Sequence, residues 1–272
     1  MKKKIVHYQV LFVFVIIFFS SCYKEGRQTT VADAGTVSAD KLNSSIENVF
    51  KGPEIQMGNG KARSWISINH DGVPVELGIE MTDGALYGLP QDPEDVAAAT
   101  FVLPLHKKAS DVTPFDHLVI NWNVQGHEPK HVFDVPHFDF HFYMISEGDR
   151  MAIPPYEVAP AGFDKLPPHA YWPDLYFPTP GGVPQMGKHW IDGTFAPPFT
   201  KTFIYGSYNG RFTFLEPMVI RDYLVQGTSY TTAFRQLHVF DPVNKYYPQQ
   251  YNIYKDPVSS KHYVTLSDFV WR

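Results

Sequence analysis

The run His137-Phe138-Asp139-Phe140-His141-Phe142-Tyr143 alternates ionisable and aromatic side chains with a period of two. Successive side chains of a strand point to opposite faces, so this period predicts a strand with three phenylalanines on one face and His137, Asp139 and His141 on the other. On a helix the two histidines would also share a face, but Pro136 and the density of aromatic residues favour the strand. The phenylalanine face needs a hydrophobic core. The opposite face needs solvent, a hydrogen-bonded network or a metal, because ionisable groups are costly to bury alone.

Other segments point to the same class of fold. The chain of 272 residues carries 23 Pro and 19 Gly, which break helix interiors and favour many short strands joined by turns. A 44% hydrophobic content is globular rather than disordered. Residues 63–69 alternate, with Trp65 opposite to Ile66 and Ile68, and His70-Asp71-Gly72 supplies a turn into 73–79. Strands are expected at 100–105 and 117–124, and a short helix at 93–99, with Asp92 as N-cap and Pro93 at its first position.

The clearest hairpin is 201–220 around Asn209-Gly210, which tolerate the positive φ of a type I′ turn. A two-residue loop pairs Tyr208 with Arg211, Tyr205 with Phe214 and Phe203 with Glu216, and Pro217 is expected to stop the ladder because it has no N–H to donate. Residues 152–198, rich in Pro and Gly, read as a packed covering loop. The expected fold is mainly β, with antiparallel sheets in a sandwich or barrel, a few short helices and a single domain over 49–272.

The N-terminus predicts an address. Lys2, Lys3 and Lys4 precede an apolar run over 10–19 and then Ser20-Ser21-Cys22, which is the layout of a secretory signal with a lipobox. The run has about half the length of a bilayer-spanning helix. Residues 1–21 are read as the signal peptide, Cys22 as the lipidated membrane anchor, and 22–48 as the lipidated cysteine and a flexible tether. The expectation is an exported, lipid-anchored protein of the cell envelope. Cys22 is the sole cysteine, so no intrachain disulfide forms and stability must come from packing or a metal. Losing the three signal lysines takes the net charge from −5 to −8, which argues against nucleic acid as a partner.

Twelve histidines are present, and His127, His131, His137 and His141 cluster. Residues two apart on a strand are separated by about 7 Å and four apart by about 13 Å, while zinc holds its ligand nitrogens at about 2.0–2.1 Å. The ligand pair on this strand is therefore Asp139 with one histidine, or both histidines across a bulge. His189, in Met186-Gly187-Lys188-His189-Trp190, and Glu216, before Pro217-Met218, could complete a mononuclear site for Zn, Fe or Mn. His127 and Glu128 are candidates for acid–base catalysis beside it. Such an ion would support hydrolysis by acidifying water, and an open coordination position would equally permit oxygen chemistry. The rival reading is a non-enzymatic envelope lipoprotein whose histidines are architectural and whose aromatic segment 171–190 meets a ligand. The sequence has no Gly-x-Ser-x-Gly elbow and no phosphate or dinucleotide loop, and lipidation of Cys22 removes thiol catalysis.

Gly88-Leu89-Pro90, Trp122-Asn123, Gly126-His127-Glu128-Pro129, the 136–143 run, Met186-Gly187-Lys188-His189-Trp190, Tyr205-Gly206 and Glu216-Pro217-Met218 together resemble an uncharacterised bacterial domain family. It is typified by a sigma-E-regulated Thermus protein. The resemblance covers roughly residues 61–216 and somewhat beyond, and implies a β-rich fold of unusual topology and homo-oligomerisation, with no activity attached.

Overall fold

A computed structural model describes residues 47–272. The predicted signal peptide, Cys22 and nearly all of the tether lie outside the described residues. Among the described residues, no helix is long and apolar enough to cross a membrane.

From Glu47 onward the chain opens one sheet, builds the second completely, and returns to finish the first. β1 (Glu47–Lys51), β2 (Ile55–Met57), β3 (Gly60–Asn69) and β4 (Pro74–Met81) open sheet A. Sheet B follows as β5 (Thr100–Pro104), β6 (His117–Asn123), β7 (His137–Tyr143), β8 (Tyr176–Pro178), β9 (Lys188–Asp192), β10 (Lys201–Tyr208) and β11 (Arg211–Ile220). Sheet A then closes with β12 (Tyr230–Ala233), β13 (Tyr246–Lys255) and β14 (His262–Trp271). The strand orders are β1-β3-β4-β14-β13-β12, with β2 on β3, and β5-β6-β7-β11-β10-β9-β8. Every pairing is antiparallel.

The period-two patterns decide which faces meet. Phe138, Phe140 and Phe142 of β7 stand beside Trp122, Ile120 and Leu118 of β6, while Val219 and Leu215 of β11 flank Phe138 and Phe142. These residues form one core with Ile66, Leu77, Ile79, Val264 and Leu266 of sheet A. Full burial of a side chain of this size contributes about 1.5–3 kcal/mol, so the phenylalanine face of β7 is held firmly inward. Its other face, with His137, Asp139 and His141, is turned to the outer side of sheet B.

The 63–79 and 201–220 hairpins form as the turn signals predict, but the register shifts in both, between Ser67 and Ile68 in the first and at a β-bulge in the second. Tyr208 pairs with Arg211 as expected, yet the register shifts between Gly206 and Ser207, so Tyr205 faces Leu215 and Phe203 faces Pro217. The additional residue is Thr213, whose carbonyl accepts the Met144 amide at 2.7 Å. Pro217 does not end β11, which continues to Ile220. It instead falls at a gap in the β7 ladder, where pairing passes from Leu215 with Phe142 to Met218 with Asp139.

Residues 93–99 form turns rather than a helix. Asp92 accepts the Glu94 amide and Asp95 the Ala98 amide, and the segment has no apolar face to bury, which a short helix needs for stability. The 152–198 segment is only partly a covering loop, since it supplies β8 and β9 to the edge of sheet B.

Candidate metal centre

Paired positions on neighbouring strands share a face, so the register aligns functional side chains in rows across outer sheet B. Asn123 lies beside His137, and Asn121 beside Asp139. On the other flank Met218 lies beside Asp139, and Gly206 of β10 separates Phe214 of β11 from His189 of β9. The described residues hold two clusters able to chelate a metal ion, each of two histidines and one carboxylate. These are His127, His137 and Asp139, and His141, His189 and Glu216, with the potential ligand atoms of each within 4.8 Å of one another.

In the first triad, β7 supplies His137 and Asp139, while His127 comes from the excursion between β6 and β7. Gly126 makes that excursion possible: it sits at φ +75°, and a Cβ there would collide with the Phe133 carbonyl. The bridge between His127 and Phe133 then folds the loop back over the sheet. His127 Nε2 lies 3.5 Å from Asp139 Oδ2, and His137 Nε2 lies 3.2 Å from Asp139 Oδ1. Both rings are oriented from behind, because His137 Nδ1 is 2.7 Å from the Val135 carbonyl and His127 Nδ1 is 2.7 Å from the Glu128 carbonyl.

A carbonyl oxygen only accepts, so each Nδ1 carries the hydrogen, and in a neutral ring Nε2 then presents a lone pair to the carboxylate. Two lone pairs facing an anion require a cation or protons between them. His137 Nε2 and Asp139 Oδ1 are both buried with no hydrogen-bond partner. Asn123 Nδ2 donates to Asp139 Oδ2 at 2.7 Å and fixes the carboxylate, the kind of outer contact that orients metal ligands.

The second triad draws on three strands. His141 Nε2 is 3.3 Å and His189 Nε2 3.7 Å from the same oxygen, Glu216 Oε2. Both His141 nitrogens and Glu216 Oε2 are buried without hydrogen-bond partners. Phe214 packs edge-on to His141 at 4.8 Å and to His189 at 5.6 Å, and Tyr143 stacks between His141 and His117. Behind that stack, buried Arg150 donates to His117 Nε2 at 3.1 Å and to the Gln185 side-chain oxygen at 3.0 Å. Gly206 leaves room for the Phe214 ring, with which a Cβ would overlap. Gly206→Ala is therefore expected to displace Phe214, destabilise the fold by about 1–3 kcal/mol and weaken the second triad while sparing the first. A urea melt together with metal counting checks this.

The triads differ electrostatically. Burial opposes charge on His127, but Asp139 outweighs it and, with the Glu128 carbonyl and Glu216, holds the imidazole up at about 9. Burial likewise works to raise Asp139, and His137 and His127 overcome it, holding the carboxyl well below its usual range. Burial pushes His141 down to about 4, with Arg150 and His127 adding to the effect. Burial, His141 and His127 take His189 to about 3. Burial and Asp139 drive Glu216 well above the ordinary carboxylate range. Without an ion, protons thus neutralise both clusters: the first is an imidazolium–carboxylate pair and the second is three uncharged groups.

Residues 69–122 match the family model TTHB210-like, described as hypothetical protein TTHB210. This is the Thermus family that the motifs resemble. The TTHB210-like match ends at Trp122, before the first triad residue, and covers β4 to most of β6. Searches of curated proteins and of solved structures return no match.

All five residues read from sequence as ligands lie in the triads, but they divide between two sites rather than one. β7 has no bulge, so the span from His137 to His141 stays too long for one ion. His127, read as an acid–base candidate, is placed with His137 and Asp139. Glu128 points elsewhere: its carboxylate accepts the Lys130 amide at 2.8 Å, and its carbonyl orients His127. Two supporting residues were missed, Arg150 and His117, because neither sits in a pattern that marks burial. Both are buried.

Proposed function

We propose that the protein is an exported lipoprotein, anchored in the cell envelope through Cys22, whose folded domain is a divalent-metal-dependent hydrolase. The observation that carries the metal is the pair of buried carboxylates faced by histidine Nε2 atoms, the ring hydrogens of the first triad being carried on Nδ1 and committed to backbone carbonyls. Imidazole and carboxylate donors without thiolate suit Zn, Fe or Mn. Three protein ligands per ion leave coordination positions open, as in catalytic rather than closed structural zinc sites. An ion held there supplies Lewis acidity and acidifies water.

The chain's own residues do the rest. Asp139 and Glu216 bring negative charge into a buried face, Asn123 fixes Asp139, and the Val135 and Glu128 carbonyls fix the two rings of the first triad. His127 and His189 are the triad members that reach solvent, so substrate approaches on their side.

Elemental analysis of the full chain, purified without a His tag, tests the reading. Two ions per chain are expected, with His137→Ala and His141→Ala each leaving one, and hydrolysis of an ester or phosphoester substrate lost in chelator. A chain that holds no metal and melts identically with and without chelator overturns it.

One observation favours a non-enzymatic variant of the same site. His137, Asp139, His141 and Glu216 are fully or nearly fully buried, and His127 reaches them from a loop outside the sheet. An ion there would fasten the 124–136 loop onto sheet B in a chain with no disulfide. Chelator would then lower the melting temperature with no activity to lose.

A further inference from the structure

Away from both triads, a cavity of about 490 Å³ lies between β10 of sheet B and the edge strand β12 of sheet A. Its volume is in the range of about 300–1,000 Å³ that small-molecule sites occupy. Phe203, Tyr176, Tyr230, Phe234 and Tyr251 contribute to its walls. Phe203 and Phe234 stack with centroids 4.1 Å apart, and Tyr251 stands 5.2 Å from Phe203 and 5.6 Å from Tyr230. Tyr176 is fixed as well, since its hydroxyl donates to the Phe203 carbonyl at 2.8 Å. The locked aromatic rings on one side give an apolar body many contacts, and Asp192, Thr202, Thr232 and Arg235 add polar groups to the rest of the lining.

The charges lining this cavity do not cancel. Arg235 is neutralised by Asp192 at 2.6 Å. Lys201 Nζ stands 4.2 Å from the centre of the Tyr230 ring and 4.4 Å from that of Tyr223, and among the described residues no carboxylate lies within ion-pair distance of it. The two rings hold the ammonium at the cavity by cation–π attraction, which leaves its charge available to an anion.

We propose that this cavity binds an aromatic monoanion, such as an aryl carboxylate, with its ring against Phe203, Phe234 and Tyr251 and its acid group on Lys201. The proposal is independent of the metal reading. The test uses the full chain carrying Cys22→Ser, so that no lipid is attached, titrated calorimetrically with 2-naphthoate and with neutral 2-naphthylmethanol in the presence of chelator. Saturable one-site binding of 2-naphthoate is expected. Lys201→Met should weaken it by about tenfold, the effect of losing a charged hydrogen bond, and leave 2-naphthylmethanol unchanged. Thr232→Trp, on the β12 residue paired with Tyr251, should fill the cavity and remove both ligands. Absence of saturable 2-naphthoate binding overturns the proposal, as does wild-type affinity in Lys201→Met. Lys201→Met keeps the test decisive even if Thr232→Trp fails to fold.

Discussion

Asp139→Asn is expected to destabilise the metal-free domain by about 1–3 kcal/mol, the cost of removing the anion from a charged hydrogen-bonded pair whose His127 side is partly screened by solvent. Glu216→Gln, an equally conservative change, should cost about 1 kcal/mol or less, on the order of one altered hydrogen bond. The contrast follows from how each carboxyl is neutralised. Asp139 is ionised and balances His127 beside it, so the amide leaves an imidazolium at the edge of the buried face without its anion. Glu216 carries a proton in the metal-free state, and the glutamine amide has nearly the same charge and shape. In the presence of metal the asymmetry should disappear, because each variant loses the carboxylate of one triad and should retain one ion of two. Urea melts with and without chelator read both halves. Equal costs in the metal-free state would show that the two carboxyls are neutralised alike.

Metal affinity and metal-free stability should both respond steeply to pH. At neutral pH an ion entering the first triad must displace the proton of His127, held up at about 9. Affinity there should climb by about tenfold per pH unit towards that value, readable by competition with a chelator at pH 6, 7 and 8. A flat profile would mean that no proton is displaced.

For the metal-free domain the signs separate by residue. His127, with its raised folded value, contributes stability that is complete below about 6.5 and is lost as pH rises through about 9. Asp139, with its depressed value, contributes above the ordinary aspartate range and loses that only as pH falls through its lower folded value. His141 and His189, lowered to about 4 and about 3, favour the unfolded chain as pH falls below 6.5, because the unfolded imidazoles take up protons first. Glu216, raised, opposes folding as pH rises above the ordinary glutamate range. Between about 4.5 and 6.5 the two histidines outweigh the single glutamate, so stability should rise with pH there. His141→Ala should flatten that limb.

The architecture was largely legible because its signals are local. Period two in 137–143 fixed which face of β7 is core, and Asn209-Gly210 located the hairpin. The bulge at Thr213 was not legible, since it answers to the Met144 amide, just past the end of β7. The segment 93–99 carried good capping residues but nothing to pack against. For the site, residue types and strand rise indicated that His137 and His141 are too far apart for one ion. Assigning His127 to Asp139, and His189 with Glu216 to His141, needed the strand order β7-β11-β10-β9 and the backbone bend at Gly126, which side-chain patterns do not encode.

The two triads also differ in how much chain they enclose. The first closes within a short stretch from His127 to Asp139, whereas the second joins His141 to Glu216 across the whole 144–210 excursion. An unfolded chain can still bring the three groups of the first triad together at small entropic cost, so it retains some affinity for an ion, and that residual affinity subtracts from the stabilisation the ion gives. No comparable half-site survives for the second, which exists only after β11 has inserted between β7 and β10. An ion in the second triad therefore acts as a latch on completed sheet B, while an ion in the first can be carried by the chain before the sheet forms.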